Sequence, residues 1–298
     1  MRSKCPCPAF LCCGKGSVLD NLFFVRYNKA MRILLSTLLL TSAMACADEP
    51  SVTTQTLWAA GVSEKEGWYD FNKAPDGSES ELCWAITAAN LIAWWQNAAD
   101  AKQLPANIPM GQEVWQTYRS SFTNEGSDPD QGMRWWFSGK YEPTSPGTGE
   151  QCAAVTRDGV GAYYTHVPQG GDHFLWNLLY RGRGAQANAQ TLSQAFISGF
   201  LAGDAFWIGV AYRRPNGALH THALTVWGAD IQTHPNGSKT VSAIYITDSD
   251  DRLSTLHRIP VITKDNNLIF HCPTHPLYAR IGEIRITNYT GLKAKAGE

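Results

Sequence analysis

Residues 82–95, Leu-Cys-Trp-Ala-Ile-Thr-Ala-Ala-Asn-Leu-Ile-Ala-Trp-Trp, are apolar on more than one helical face, with Trp84, Ala88, Leu91 and Trp95 on one stripe and Leu82, Ile86, Ala89 and Ile92 on another. A helix of that kind cannot lie on a surface, so the rest of the chain must wrap around it. Its start is marked as well. Ser78 followed by Glu81 has the form of a capping box, in which each side chain satisfies a backbone N–H that the first turn leaves without a partner. Cys83 then falls where the aligned peptide dipoles place partial positive charge, which favours thiolate over thiol. It is a candidate nucleophile. The competing reading is a small apolar residue filling the core.

Of the 298 residues, Met31 to Ala47 have the basic, apolar and small-residue zones of a secretory signal, and the apolar run Ile33–Leu40 is too short to span a bilayer. Residues 1–30 hold Cys5, Cys7, Cys12 and Cys13 without a periodic pattern and precede a better start at Met31, so they read as an over-extended N-terminus. Export is therefore expected, either fully secreted or held in the cell envelope, because Ala43-Met-Ala-Cys46 offers a possible lipid anchor at Cys46. No integral membrane span is expected. Residues 1–47 carry six of the 25 Lys and Arg and one of the 26 Asp and Glu, so the remaining 251 residues hold 19 basic against 25 acidic, a net charge of −6. That balance argues against nucleic acid or an anionic membrane as partner. Residues 48–298 are expected to form a single domain. Three cysteines remain in it, and a Cys152–Cys272 pair and two buried free thiols are both open readings.

Residues 67–73 read as a short strand or extended approach to the helix, and residues 74–77 as the loop that delivers it. A second helix is expected over 112–123, with Val114, Trp115, Tyr118 and Phe122 at helical spacing. Residues 124–171 are rich in Gly, Pro, Asp and Thr and are expected to be a surface that shapes a cleft. A helix over 191–201 and a buried strand over 205–212 follow. The clearest β-signal is a hairpin, in which residues 221–227 and 241–247 alternate about the turn His234-Pro-Asn-Gly-Ser238. A turn centred between Asn236 and Gly237 puts His222 opposite Asp251 and Thr225 opposite Asp248. His222 at one strand's start then lies beside the acidic run 248–251 at the other's end.

A thiol attacks an amide carbonyl usefully only when a base holds its proton and something stabilises the oxyanion. Cys83 supplies the nucleophile, His222 the base and later the acid, and Asp248 or Asp250 the group that orients the imidazole. A cysteine on a helix followed by histidine and carboxylate on neighbouring strands is the order of papain-like hydrolases. His220 and His222 share a strand face, and an isolated pair of that kind is more often structural or a metal half-site than catalytic. Residues 248–251 lack the glycine and distal glutamate of a calcium loop.

Three blocks carry a family resemblance: Gly67-Trp-Tyr-Asp70 with Lys73 and with Cys83 ten positions beyond it, His222-Ala-Leu-Thr-Val-Trp-Gly-Ala-Asp230, and Ala243-Ile-Tyr-Ile-Thr-Asp-Ser-Asp250. Together they resemble the streptococcal immunoglobulin-G-degrading cysteine endopeptidases. The resemblance implies an α+β, papain-like fold, with a central buried helix carrying Cys83 packed against an antiparallel sheet carrying His222 and Asp248. It also implies cleavage of the IgG heavy chain near the hinge, with no cofactor and no metal. By resemblance Cys83 is the nucleophile, His222 the base, Asp248 its orienting partner, Asp250 a further active-site acid and Lys73 an oxyanion-side group beside the Cys83 backbone N–H. The blocks cover about a quarter of the chain. Trp84 stands where that family has glycine, and Arg181-Gly-Arg183 about where it has Arg-Gly-Asp. Rival readings keep the same triad in a cell-wall amidase or acyltransferase, make the chain a catalytically inactive immunoglobulin-binding protein, or build a metalloenzyme on His220, His222 and the aspartates.

Overall fold

The computed structural model describes residues 51–98, 104–142, 153–155, 161–166, 171–270, 281 and 283–294. The expected leader, the possible anchor at Cys46 and the Cys152–Cys272 pair lie outside the described residues.

Eight strands and five helices follow in chain order: β1 (Thr53–Trp58), α1 (Cys83–Ala98), α2 (Gln112–Ser121), α3 (Pro129–Ser138), α4 (Asp172–Leu178), β2 (Leu179–Arg183), α5 (Ala189–Ala202), β3 (Ala205–Arg213), β4 (Leu219–Thr233), β5 (Lys239–Thr247), β6 (His257–Lys264), β7 (Asn267–Phe270) and β8 (Ile284–Leu292). Hydrogen bonding runs β4-β3-β8-β7-β6-β5 and returns from β5 to β4. The six strands therefore close into an antiparallel barrel, with β1 added on β4 and β2 on β8. This overturns the expected papain-like arrangement of a helix laid on a sheet. The hairpin β4–β5 is local, whereas closure depends on β8 returning to β3, where Ile208 pairs with Tyr289 across most of the C-terminal half.

Closure requires the strands to bend, and register shifts between Gly209 and Val210, Val226 and Gly228, and Asp230 and Ile231 supply local kinks. Gly209 has a further constraint, since a Cβ there would stand 1.8 Å from Asn288 Oδ1.

Helix α1 is buried without a break from Trp84 to Gln96. Its start differs from the expected capping box. Asp76 Oδ1 takes both the backbone N–H and the hydroxyl of Ser78, at 2.9 and 2.6 Å, while the Glu81 N–H donates to Asn124 Oδ1 at 2.9 Å. An Asx turn two residues upstream thus captures the serine, and the helix begins at Cys83 after tight turns. Glu79 is the buried acid here instead, accepting the Ala74 N–H at 2.6 Å and pairing with Arg119 of α2.

Residues 67–74 form no strand. They are held through Asn90, whose Oδ1 accepts the Phe71 N–H at 3.1 Å while its Nδ2 donates to Thr225 Oγ1 at 3.2 Å. One buried amide thus joins the approach segment, α1 and β4. Asn90→Leu strands two buried polar groups and is expected to cost about 3 kcal/mol; urea unfolding should show an earlier midpoint at unchanged slope.

Helix α3 lies inside the Gly- and Pro-rich stretch 124–171 and takes in its patterned exception, Met133–Phe137. Asp128 caps it by accepting the Asp130 N–H at 2.8 Å, Pro129 opens it and left-handed Gly139 closes it. Trp84, Tyr118, Phe122, Trp135 and Trp136 interlock α1, α2 and α3, with Tyr118 and Trp136 stacked at 5.7 Å. All four tryptophans 94, 95, 135 and 136 are core.

Candidate active site

Strand β4 outruns β5. One edge of β4 pairs with β3 from Leu219 to Val226, but β5 joins the other edge only at Thr225, opposite Thr247. The open edge is filled by α1: Thr87 Oγ1 donates to the Ala223 carbonyl at 3.2 Å, and the Ala223 N–H donates to the Cys83 sulfur. The hairpin register is one residue from that expected at Thr225. Because β5 ends at Thr247, residues 248–251 turn across the end of the open edge, and His222 pairs with Val210 of β3 rather than with Asp251.

That turn brings the charged groups together. His222 Nε2 lies 2.8 Å from Asp248 Oδ1, both side chains being essentially buried, and the same oxygen accepts the Asp250 N–H at 2.9 Å. Cys83 interacts with the same imidazole through charge and hydrogen bonding. Nδ1 is 3.9 Å from Asp250 Oδ2, and the other Asp250 oxygen is 2.5 Å from Lys73 Nζ. Lys73 also donates to the Ser80 carbonyl at 2.7 Å, and its backbone N–H to the Ser249 carbonyl at 3.1 Å. Cys83, His222, Asp248, Asp250 and Lys73 therefore form one connected cluster.

Charge sets its protonation. Burial alone would raise the Cys83 thiol pKa, but the His222 imidazolium, its hydrogen bond, the Lys73 ammonium and the Ala223 N–H outweigh it, and the net shift is downward. For His222 burial would lower the pKa, yet the charges of Asp248 and then Cys83 lift it well above the ordinary imidazole value. Burial likewise works against Lys73, and Cys83 and Asp250 more than reverse it. The two shifts separate in the sense that favours a thiolate–imidazolium pair. The pair is lost as pH falls through the lowered thiol value and again as pH rises through the raised imidazolium value.

His220 does not join this cluster. Its ring is 3.3 Å from Arg214, and burial together with the charges of Arg214 and His222 lowers its pKa to about 4, so it is neutral near pH 7. His222, Asp248 and Asp250 could offer a metal three ligand atoms within 4.8 Å of one another. An ion there would have to displace Lys73 from Asp250 and the imidazole N–H from Asp248. The Ala223 N–H and Tyr212, whose hydroxyl pKa is raised by burial and then by Asp250, are site features not read from the sequence. Tyr212 was visible only as the end of a buried strand.

A cleft of about 580 Å³ opens over Cys83 and His222. Its far wall is built on buried Asp130, which accepts Trp207 Nε1 at 2.8 Å and Thr290 Oγ1 at 3.2 Å. Arg183 bridges Asp128 and Asp130 at 2.7 and 3.2 Å. Burial and repulsion from Asp130 raise the Asp128 carboxyl to about 6 against the pull of Arg183. A groove of similar size, about 570 Å³, runs along α5, and its lining holds no cysteine or histidine.

No family model matches the chain. It is 24% identical over 225 residues to the IgM protease of Streptococcus suis strain P1/7, a match covering 65% of this chain and 18% of that protein. The chain thus spans less than a fifth of the length of this relative. A peptidase therefore stands among its distant relatives. Among the described residues no helix is long and apolar enough to cross a membrane.

Proposed function

We propose that this chain is an exported cysteine endopeptidase that hydrolyses an immunoglobulin heavy chain. The observation that carries the reading is His222 standing between Cys83 and Asp248 at the wall of an open cleft. The Cys83 thiolate attacks the scissile carbonyl, and the negative oxygen forms at the start of α1, beside the Cys83 backbone N–H and the Lys73 ammonium. The imidazolium gives its proton to the leaving amine. Neutral His222 then takes a proton from water, hydroxide opens the thioester, and the pair is restored. The chemistry uses these side chains, the Cys83 backbone N–H and water. Resemblance in three sequence blocks favours IgG as substrate, whereas the distant relative is named for IgM, so both antibodies belong in the test. The Met31–Ala47 segment supports export, the condition for meeting such substrates.

The decisive experiment incubates the purified protein, reduced, with IgG and with IgM and follows heavy-chain fragments on gels, with iodoacetamide as control. Discrete fragments that iodoacetamide suppresses are expected from at least one antibody. Intact heavy chains in both would overturn the reading, and release of peptidoglycan fragments in a parallel arm would assign the triad to an amidase.

Lys73→Met removes one of the charges that lowers the thiol pKa without touching the imidazole. A roughly tenfold fall in kcat/KM is expected. The pH profile of Cys83 alkylation should move upward.

A further inference from the structure

A second histidine–aspartate pair lies behind the first. The β5–β6 connection that carries Asp248 and Asp250 is closed at its base by the pairing of Ile246 with His257. Within it Asp251 has a fully buried side chain: Oδ1 accepts the Leu253 N–H at 2.7 Å, and Oδ2 is 2.5 Å from His257 Nε2. The Asp251 N–H donates to the carbonyl of Asp248 itself, at 3.3 Å. One carboxylate therefore fixes the turn immediately after the catalytic aspartates to the first residue of β6.

The same connection is fastened to the segment leading into Cys83. Asp70 Oδ2 accepts the Thr255 N–H at 3.0 Å, Asn72 Nδ2 donates to the Leu253 carbonyl at 3.0 Å, and Arg252 donates to the Pro75 carbonyl at 3.0 Å. The acids facing this pair are Asp70 and Asp248. Burial, with Asp251 and Asp248 adding to it, raises the Asp70 carboxyl to about 8.

Resting on the peptidase reading above, we infer that His257 is a positioning residue: through Asp251 it sets the turn that aims Asp248 at His222. The described partner of the His257 ring is Asp251 rather than Cys83 or His222. Its effect reaches the sulfur through Asp248 and the imidazole, so it should alter the Cys83–His222 ion pair rather than substrate affinity.

The test compares His257→Gln, whose amide nitrogen reaches the place of Nε2, with His257→Asn, which is too short to do so, and with His257→Ala. The side chain is largely but not fully buried, at 17% exposure, so the polar variants are expected to fold. The readout is Cys83 alkylation by iodoacetamide from pH 4 to 10, which needs no antibody, alongside kcat and KM for heavy-chain cleavage. His257→Asn and His257→Ala should alkylate about tenfold more slowly near pH 6, with the profile moved upward, a lower kcat and an unchanged KM. His257→Gln should restore both. A folded His257→Asn protein with the wild-type profile, or a His257→Gln protein as impaired as His257→Asn, would overturn the inference alone. Wild-type protein that alkylates no faster than a free thiol would overturn the ion pair and the inference with it.

Discussion

Cys83→Ala protein is expected to fold normally and to cut no antibody. The substitution removes one sulfur atom at a partly exposed position, so the helix keeps its packing and stability should change by less than about 1 kcal/mol. Everything else in the cluster stays: Asp248 still holds His222, and Lys73 still holds Asp250. Loss of the atom that forms the acyl intermediate nonetheless lowers the rate on the order of a millionfold, beneath detection on a gel. Heavy-chain fragments from purified Cys83→Ala protein with a wild-type melting curve would remove the nucleophile from the proposal.

Asp248→Ala should have the next largest effect, and it acts through protons. Burial on its own pushes the His222 pKa down, and the Asp248 carboxylate is the largest influence opposing it. Without that carboxylate the ring is neutral at physiological pH, and Cys83 loses the imidazolium that does most to offset its own burial. The sulfur is then a thiol until pH reaches or passes the ordinary cysteine value of about 8.5. Wild-type alkylation by iodoacetamide should set in on the acid side of the ordinary cysteine value, whereas in Asp248→Ala it should climb only through the alkaline range. Proteolysis should fall by roughly a thousandfold. A variant that is folded by circular dichroism yet keeps the acidic reactivity would show that Asp248 does not hold the charge on His222.

Much of this cluster was legible because its parts are fixed locally. Cys83 follows from an all-round apolar helix, and His222 with Asp248 from a hairpin whose turn and alternation set the register to within one residue. The acids at the end of β5 were read as paired with β4, although they fold over its free end, because strand length is decided by where β5 stops and not by alternation. Barrel closure was out of reach for a related reason: β8 and β3 pair across intervening elements, and neither carries a mark of its partner. The helix start was misread because Ser78 had two possible roles and Asp76 lay nearer than the backbone it was expected to cap. Asp128 before, Pro129 at the first position and Gly139 after mark α3 in the sequence. The surrounding Gly and Pro content masked them. Asp251–His257 carries no motif at all and emerges only when β6 is seen beside β5.

The ring of strands also governs when the proposed chemistry becomes possible. Sulfur and imidazole are 139 positions apart in sequence and meet only because α1 fills the gap that β5 leaves along β4. Before that docking, the unfolded chain carries an unactivated thiol and a solvated histidine, so the proposed chemistry waits on folding.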